Sequence, residues 1–208
     1  MKVAEIIPID KKKSKIVIAG MEPFSLYNGE IRRYGISEGD DLPESIYQNI
    51  VEEVLKKRVK ERTLYLLKDR DRAENDIRMK LKRGYYPQEV IDYGIEFLKK
   101  YGYVDDRRYV ENYIHENQRR KSRQLITQSL ILKGISKDMI REVFDSMEET
   151  QQENQEQQMI YRLLEKKKYD YGQTDYKEKN KIMAFLVRKG FEMEDIQYCM
   201  KNPQESNV

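Results

Sequence analysis

One apolar template recurs three times along this 208-residue chain and leaves it few ways to fold. Ile77 and Leu81 stand four residues apart, Ile91 follows ten after Leu81, and Ile95 four after that. The same spacing returns as Ile126, Leu130, Ile140 and Phe144, and again as Ile182, Leu186, Ile196 and Met200. A four-residue step keeps apolar side chains on one face of a helix. Each ten-residue gap holds a glycine, Gly84, Gly134 or Gly190, preceded by Lys82-Arg83, Lys133 or Arg188-Lys189. Each copy therefore reads as two amphipathic helices joined by a tight basic turn. The copies are offset by 49 and 56 residues, which leaves room before each for a further helix, over 50–68, 106–120 and 153–168.

Three tandem three-helix modules follow, at 46–101, 102–150 and 151–203, with a tail at 204–208. Such a module buries its apolar faces poorly alone, so the sequence predicts a mainly α chain whose repeats stack into an elongated array. After Ile46 proline occurs only at 87 and 203, so little interrupts the helices. Glycines at 84, 94, 102, 134, 172 and 190 are the punctuation.

The first 45 residues differ. Val3, Ile6, Ile7 and Ile9 lead to Lys11-Lys12-Lys13, and Ile16-Val17-Ile18 is closed by Gly20 before Pro23 and Phe24. Short β-branched runs between polar turns predict two or three strands, too short to hold a core of their own. Gly35 to Pro43 reads as a loop, with a helix starting near Pro43.

Charge narrows the partner. The net charge is only +3, yet residues 51–133 hold 21 Lys/Arg against 14 Asp/Glu, while residues 134–158 hold 2 against 7. A basic face of this kind suits a polyanion or an acidic protein surface. No run approaches the roughly 20 apolar residues of a membrane span, and no leader pattern opens the sequence. One cysteine, Cys199, and one histidine, His115, leave no zinc spacing and little scope for a catalytic triad. The reading is a cytoplasmic monomer with no cofactor, no metal and no catalytic residues.

The densest basic cluster is Arg119, Arg120, Lys121 and Arg123, with Arg107 and Arg108 one helix earlier. Arginine's planar fork takes phosphate or carboxylate in a bidentate way. Lys133, Arg188 and Lys189 occupy equivalent turn positions and complete the binding candidates. Asp105 and Asp106 read as the cap and first turn of a helix after Gly102, since no third ligand is spaced to make a metal site. Tyr109 and Tyr113, four apart, read as core packing, with stacking on bases the alternative for tyrosines near basic residues; Cys199 reads as a small core residue and His115 as a surface or interface residue. The Gln/Glu-rich stretch 149–158 reads as a polar linker or solvated first turn.

Several motifs resemble the RecX family of bacterial recombination regulators. They are Gly102-Tyr103-Val104-Asp105-Asp106-Arg107-Arg108-Tyr109, Leu132-Lys133-Gly134-Ile135-Ser136, and Phe185-Leu186-Val187-Arg188-Lys189-Gly190-Phe191 followed by Met193-Glu194-Asp195-Ile196. The resemblance covers about residues 60–201, and the β-rich start is similar to the extension of Gram-positive members. Two local departures stand out: Arg119 to Arg123 lies where the family often has glycines, and Gly84 falls one residue early in the first module. The resemblance implies a regulator that lies along the groove of the RecA–single-stranded DNA filament. It implies limits on filament growth, ATPase, strand exchange and co-protease activity. The residues alone also allow an autonomous helical-repeat DNA- or RNA-binding protein not directed at RecA.

The repeat has a direct test. Leu130→Ala should cost about 2–5 kcal/mol through lost packing, read by chemical denaturation, whereas an exposed Leu130 would leave stability unchanged.

Overall fold

The computed structural model describes residues 1–148 and 153–203, in two compact units, Met1–Asp105 and Asp106–Val208. The expected tail at 204–208 and residues 149–152 of the Gln/Glu-rich stretch lie outside the described residues. The chain is mainly helical, with a small three-stranded sheet at its N-terminal end.

In the first unit, β1 (Val3–Pro8), β2 (Lys13–Ile18) and β3 (Phe24–Tyr27) form an antiparallel sheet in the order β1-β2-β3. Asp10 shapes the hairpin turn by accepting the backbone N–H groups of Lys12 and Lys13 at 2.7 and 2.9 Å. Alternation along β2 buries Ser14, Ile16 and Ile18 and leaves Lys13, Lys15 and Val17 on the other face. The sheet has no separate core: Ile16, Ile18, Phe24 and Leu26 share one with Tyr47, Ile50, Leu55, Ile77 and Leu81. A short helix, α1 (Asn28–Arg33), follows the sheet.

The helix expected near Pro43 begins at Glu44. It runs as α2 (Glu44–Ile50), a π-helical turn over Val51–Leu55, and α3 (Lys56–Leu67). A four-residue step overshoots an α-helical turn of 3.6 residues. The wider π turn offsets that drift, so Val51, Leu55, Val59 and Thr63 all stay buried. Helices α4 (Glu74–Arg83) and α5 (Gln88–Lys100) complete the unit. Gly94, expected to punctuate, instead lies inside α5, where a Cβ would come within 2.9 Å of Val59 Cγ2. It lets α5 approach α3 closely.

The second unit contains α6 (Asp106–Asn117), α7 (Arg123–Ile131), α8 (Lys137–Glu148), α9 (Glu153–Lys166), α10 (Tyr176–Arg188) and α11 (Met193–Lys201). All twelve residues of the repeated template are buried, none more than 3 % exposed. Cys199 is buried as expected, and burial pushes its thiol up to about 11.

The three turns close in one way. The N–H of Tyr86, Ile135 or Phe191 returns to the carbonyl of Leu81, Leu130 or Leu186, five residues back, at 3.2, 3.2 and 3.4 Å. The residue four after each leucine is left-handed: Tyr85 at φ 56°, Gly134 at 84° and Gly190 at 81°. This explains the early glycine of the first module. Tyr85 takes the left-handed place, and Gly84 sits one step before it at φ −83°.

Lys168, exposed after α9, is left-handed at φ 53° in the same kind of helix end, with Tyr169 N–H returning to Leu164 at 3.0 Å. A lysine there carries roughly 1–2 kcal/mol of backbone strain. Lys168→Gly should therefore raise stability by about 0.5–1 kcal/mol and the thermal midpoint by about 1–3 °C in calorimetry, since glycine's looser unfolded chain offsets part of the gain.

Candidate nucleic-acid interface

Asp105 immediately precedes α6 and Asp106 lies in its first turn, the positions that suit capping. Among the described residues no three His, Cys, Asp or Glu side chains group as a metal site. Helix α6 buries Val110 and Ile114. Tyr109 and Tyr113 are therefore not core residues: they lie half-exposed beside that pair, rings stacked at 6.2 Å between centroids and 26° between planes. Both pairs are four apart and adjacent, so periodicity could not choose between them. The aliphatic pair takes the interior because it has no hydroxyl to satisfy there.

Two lysines flank the stacked rings. Lys121 Nζ donates to the Tyr113 hydroxyl at 3.0 Å and lies 5.2 Å from its ring centroid, while Lys133 Nζ lies 5.8 Å from the Tyr109 ring. Burial alone would raise the Tyr113 pKa. Hydrogen bonds from Lys121 and Ser129, with the positive charge of Lys121 and Lys133, outweigh it and hold the phenol below the usual tyrosine range. Cationic groups around accessible tyrosine rings suit a polyanion with stackable bases.

The other candidates divide by what holds them. Arg107 is exposed, pairs with Glu111 at 3.3 Å and reaches Ser146 Oγ at 3.5 Å, and Arg108 beside it is also exposed. This pair stands a helix length, about 18 Å, from Arg119 and Arg120. Those two are exposed just past the end of α6, with no ion pair among the described residues. Arg123 is also exposed but is engaged: its guanidinium lies 4.5 Å from the Phe144 ring centroid and its Nη2 is 3.4 Å from Asp145.

A buried serine joins the second and third modules here. Ser122 caps α7 by accepting the Leu125 N–H at 3.4 Å, and its own hydroxyl donates to the Lys189 carbonyl at 2.8 Å. That bond sets the turn carrying Arg188 and Lys189 against the segment carrying Arg119 to Arg123. Arg188 is exposed, and Lys189 Nζ lies 5.8 Å from the Phe185 ring centroid. Gly190 has no room for a side chain: a Cβ would lie 2.6 Å from Ser122 Oγ and 3.0 Å from Gln124 Oε1.

Across the same junction, the Arg123 N–H donates to Glu156 of α9, whose carboxyl is pushed up by burial and by the neighbouring acids Asp195 and Glu192. Gln157 donates to Asp195 at 3.1 Å. The described end of the Gln/Glu-rich stretch is thus the start of α9 and takes part in packing. Sequence reasoning favoured the core for Tyr109 and Tyr113 and did not single out Ser122 or Glu156. For Ser122 the available signal was its N-cap position before Arg123; nothing local pointed to Lys189.

Family profiles describing the second and third three-helix domains of RecX match residues 105–143 and 153–200. The chain is 29 % identical over 194 residues to the regulatory protein RecX of Clostridium acetobutylicum, covering 92 % of this chain and 91 % of that one. It is 28 % identical over 202 residues to the regulatory protein RecX of Caldanaerobacter subterraneus, covering 96 % and 98 %. In fold it is similar to a crystal structure of a regulatory protein RecX, with TM-score 0.63, 21 % identity and coverage of 97 % and 99 %. It is also similar to RecX from Lactobacillus salivarius, with TM-score 0.60, 19 % identity and coverage of 71 % and 95 %.

The Ser122–Gly190 contact makes a double-mutant cycle. Gly190→Ala should cost roughly 1–3 kcal/mol from left-handed strain and the clash, and Ser122→Ala about 1 kcal/mol from the lost cap. The double variant should cost at least about 0.5 kcal/mol less than their sum in urea unfolding, because removing Oγ relieves the clash; strict additivity would deny the contact.

Proposed function

Because the chain belongs to the RecX family, we propose that it binds the RecA–single-stranded DNA filament and negatively modulates RecA. It limits filament growth and suppresses ATPase, strand exchange and co-protease activity, and it does so as a cytoplasmic monomer without chemistry of its own. The observation that carries this reading is the Ser122–Lys189 bond, which brings two basic turns of different modules to one seam. Weak contacts spread over several modules multiply when all engage one partner at once. A filament presents many repeated sites to such a seam. In this reading Arg119, Arg120 and Arg188 are the exposed contacts, Lys121, Lys133 and Lys189 support neighbouring rings, and Arg107 and Arg108 form a more distant contact.

A second reading, an autonomous DNA- or RNA-binding protein, draws on the Tyr109–Tyr113 stack between Lys121 and Lys133, which suits bare unpaired bases. The two separate in one experiment. RecA's DNA-dependent ATPase on single-stranded DNA is titrated with this protein, beside binding to naked single strands at the same salt. Inhibition is expected well below the concentration that coats naked DNA; inhibition only at saturation would favour the second reading. Arg119→Glu with Arg120→Glu should raise the half-inhibitory concentration roughly tenfold with the melting temperature unchanged. Arg123 is spared because its reversal would set an acid beside Asp145 and disturb Phe144.

A further inference from the structure

The first unit carries a basic and aromatic face of its own, built from residues of β2, β3, α3 and the first module's turn. Lys13 and Lys15 project from one side of β2, and Lys13 pairs across the ladder with Tyr27 of β3. Helix α3 adds Arg58, whose guanidinium lies 4.7 Å from the Tyr27 ring centroid, and the exposed Arg62 one turn on. The first module's turn docks beside them: Ser25 Oγ donates to the Gly84 carbonyl at 2.8 Å. Docking sets Tyr85 and Tyr86 against the sheet, with Lys15 Nζ 5.2 Å from the Tyr85 ring and Lys13 Nζ 5.7 Å from the Tyr86 ring.

Four cations thus converge from two elements. Arg58 is held structurally, ion-paired to Glu30 and donating to the Ser25 carbonyl at 3.2 Å. The nearby Asp10 carboxylate is occupied by backbone N–H groups of the hairpin turn. Lys13, Lys15 and Arg62 are left with no carboxylate within ion-pair distance among the described residues. Burial, with the charge of Arg58 and then Arg62, pulls the Lys13 ammonium below the ordinary lysine range against a weaker opposing pull from Asp10 and Glu30. Folding holds these like charges together although the chain has 37 acidic residues with which to separate them. An anionic ligand would relieve that repulsion.

The arrangement is a row beside tyrosine rings, not an enclosed pocket, so it fits an extended polyanion better than a small anion. Tyr27 is 46 % exposed, and such rings can stack only on unpaired bases. We propose that this face is a second nucleic-acid contact of the chain, in which Lys13, Lys15 and Arg62 take phosphates of a single strand and Tyr27 and Tyr85 offer ring surface to its bases. The inference is independent of the RecA reading, since it concerns a bare strand.

The test is binding of the full chain to a fluorescent oligo(dT) by anisotropy over a salt series. Lys13→Gln with Arg62→Gln is expected to weaken binding roughly tenfold at low salt. It should shrink the slope of log K against log[salt] by about 1.4, or 0.7 for each of two lost phosphate contacts. An Arg119→Gln, Arg120→Gln variant run alongside reports the other unit. Acetylation of Lys13 and Lys15 in the unmodified protein, read by mass spectrometry, should fall when oligo(dT) is present; this arm does not depend on any variant folding. Unchanged acetylation with an unchanged salt slope would overturn the proposal and leave a solvated face. Weaker inhibition of RecA with intact oligo(dT) binding would also overturn it, assigning the face to a protein partner.

Discussion

A single backbone hydrogen bond, from the residue five past a buried leucine back to that leucine's carbonyl, closes every module turn. It folds Leu81 onto Tyr86, Leu130 onto Ile135 and Leu186 onto Phe191. The bond requires a left-handed residue in between, and that residue reverses the chain tightly enough for the next helix to pack on the last. Residues two and three past the leucine are then forced onto the outside of the turn. Those positions hold Arg83 and Gly84, Leu132 and Lys133, and Arg188 and Lys189. The geometry that closes the core thus also presents the basic side chains.

Two of these turns are received in the same way. Gly84 and Lys189 are equivalent, three past their leucines, and each carbonyl accepts a serine hydroxyl at 2.8 Å, from Ser25 and Ser122. Both serines are buried, and the bond satisfies a helix-end carbonyl that would otherwise lose its water. The middle turn differs: Gly134 is exposed, and Leu132 stands 86 % exposed where the other modules carry arginine. The three modules share one backbone design and differ in what meets their turns.

Much of the fold was readable because helical burial leaves a periodic trace. The twelve template positions are all interior, and α6 lies in the space the sequence leaves before the second copy of the template. Two or three strands were expected: β1 and β2 carry the β-branched runs, whereas β3, Phe24-Ser25-Leu26-Tyr27, has no β-branched residue. Readings that rested on one residue type in isolation fared worse. Gly94 looks like other punctuating glycines but serves close packing against Val59. Tyr109 and Tyr113 have core spacing, yet Val110 and Ile114 have the same spacing one residue on and win the interior.

The sequence by itself determined the module repeat, the place of its three turns and the excess of positive charge over residues 51–133. All of these depend on neighbours within a few residues, where chain geometry dictates what can meet. Only the tertiary structure decided which charged segments lie together. Ser122 meets Lys189 across 67 residues and Ser25 meets Gly84 across 59, contacts with no periodicity to announce them. It likewise divided the exposed arginines, setting Arg123 against Phe144 and Asp145 while Arg119 and Arg120 form no ion pair among the described residues. A charge's role depends on the groups that surround it in space, and for these residues that surrounding comes from segments distant in the chain.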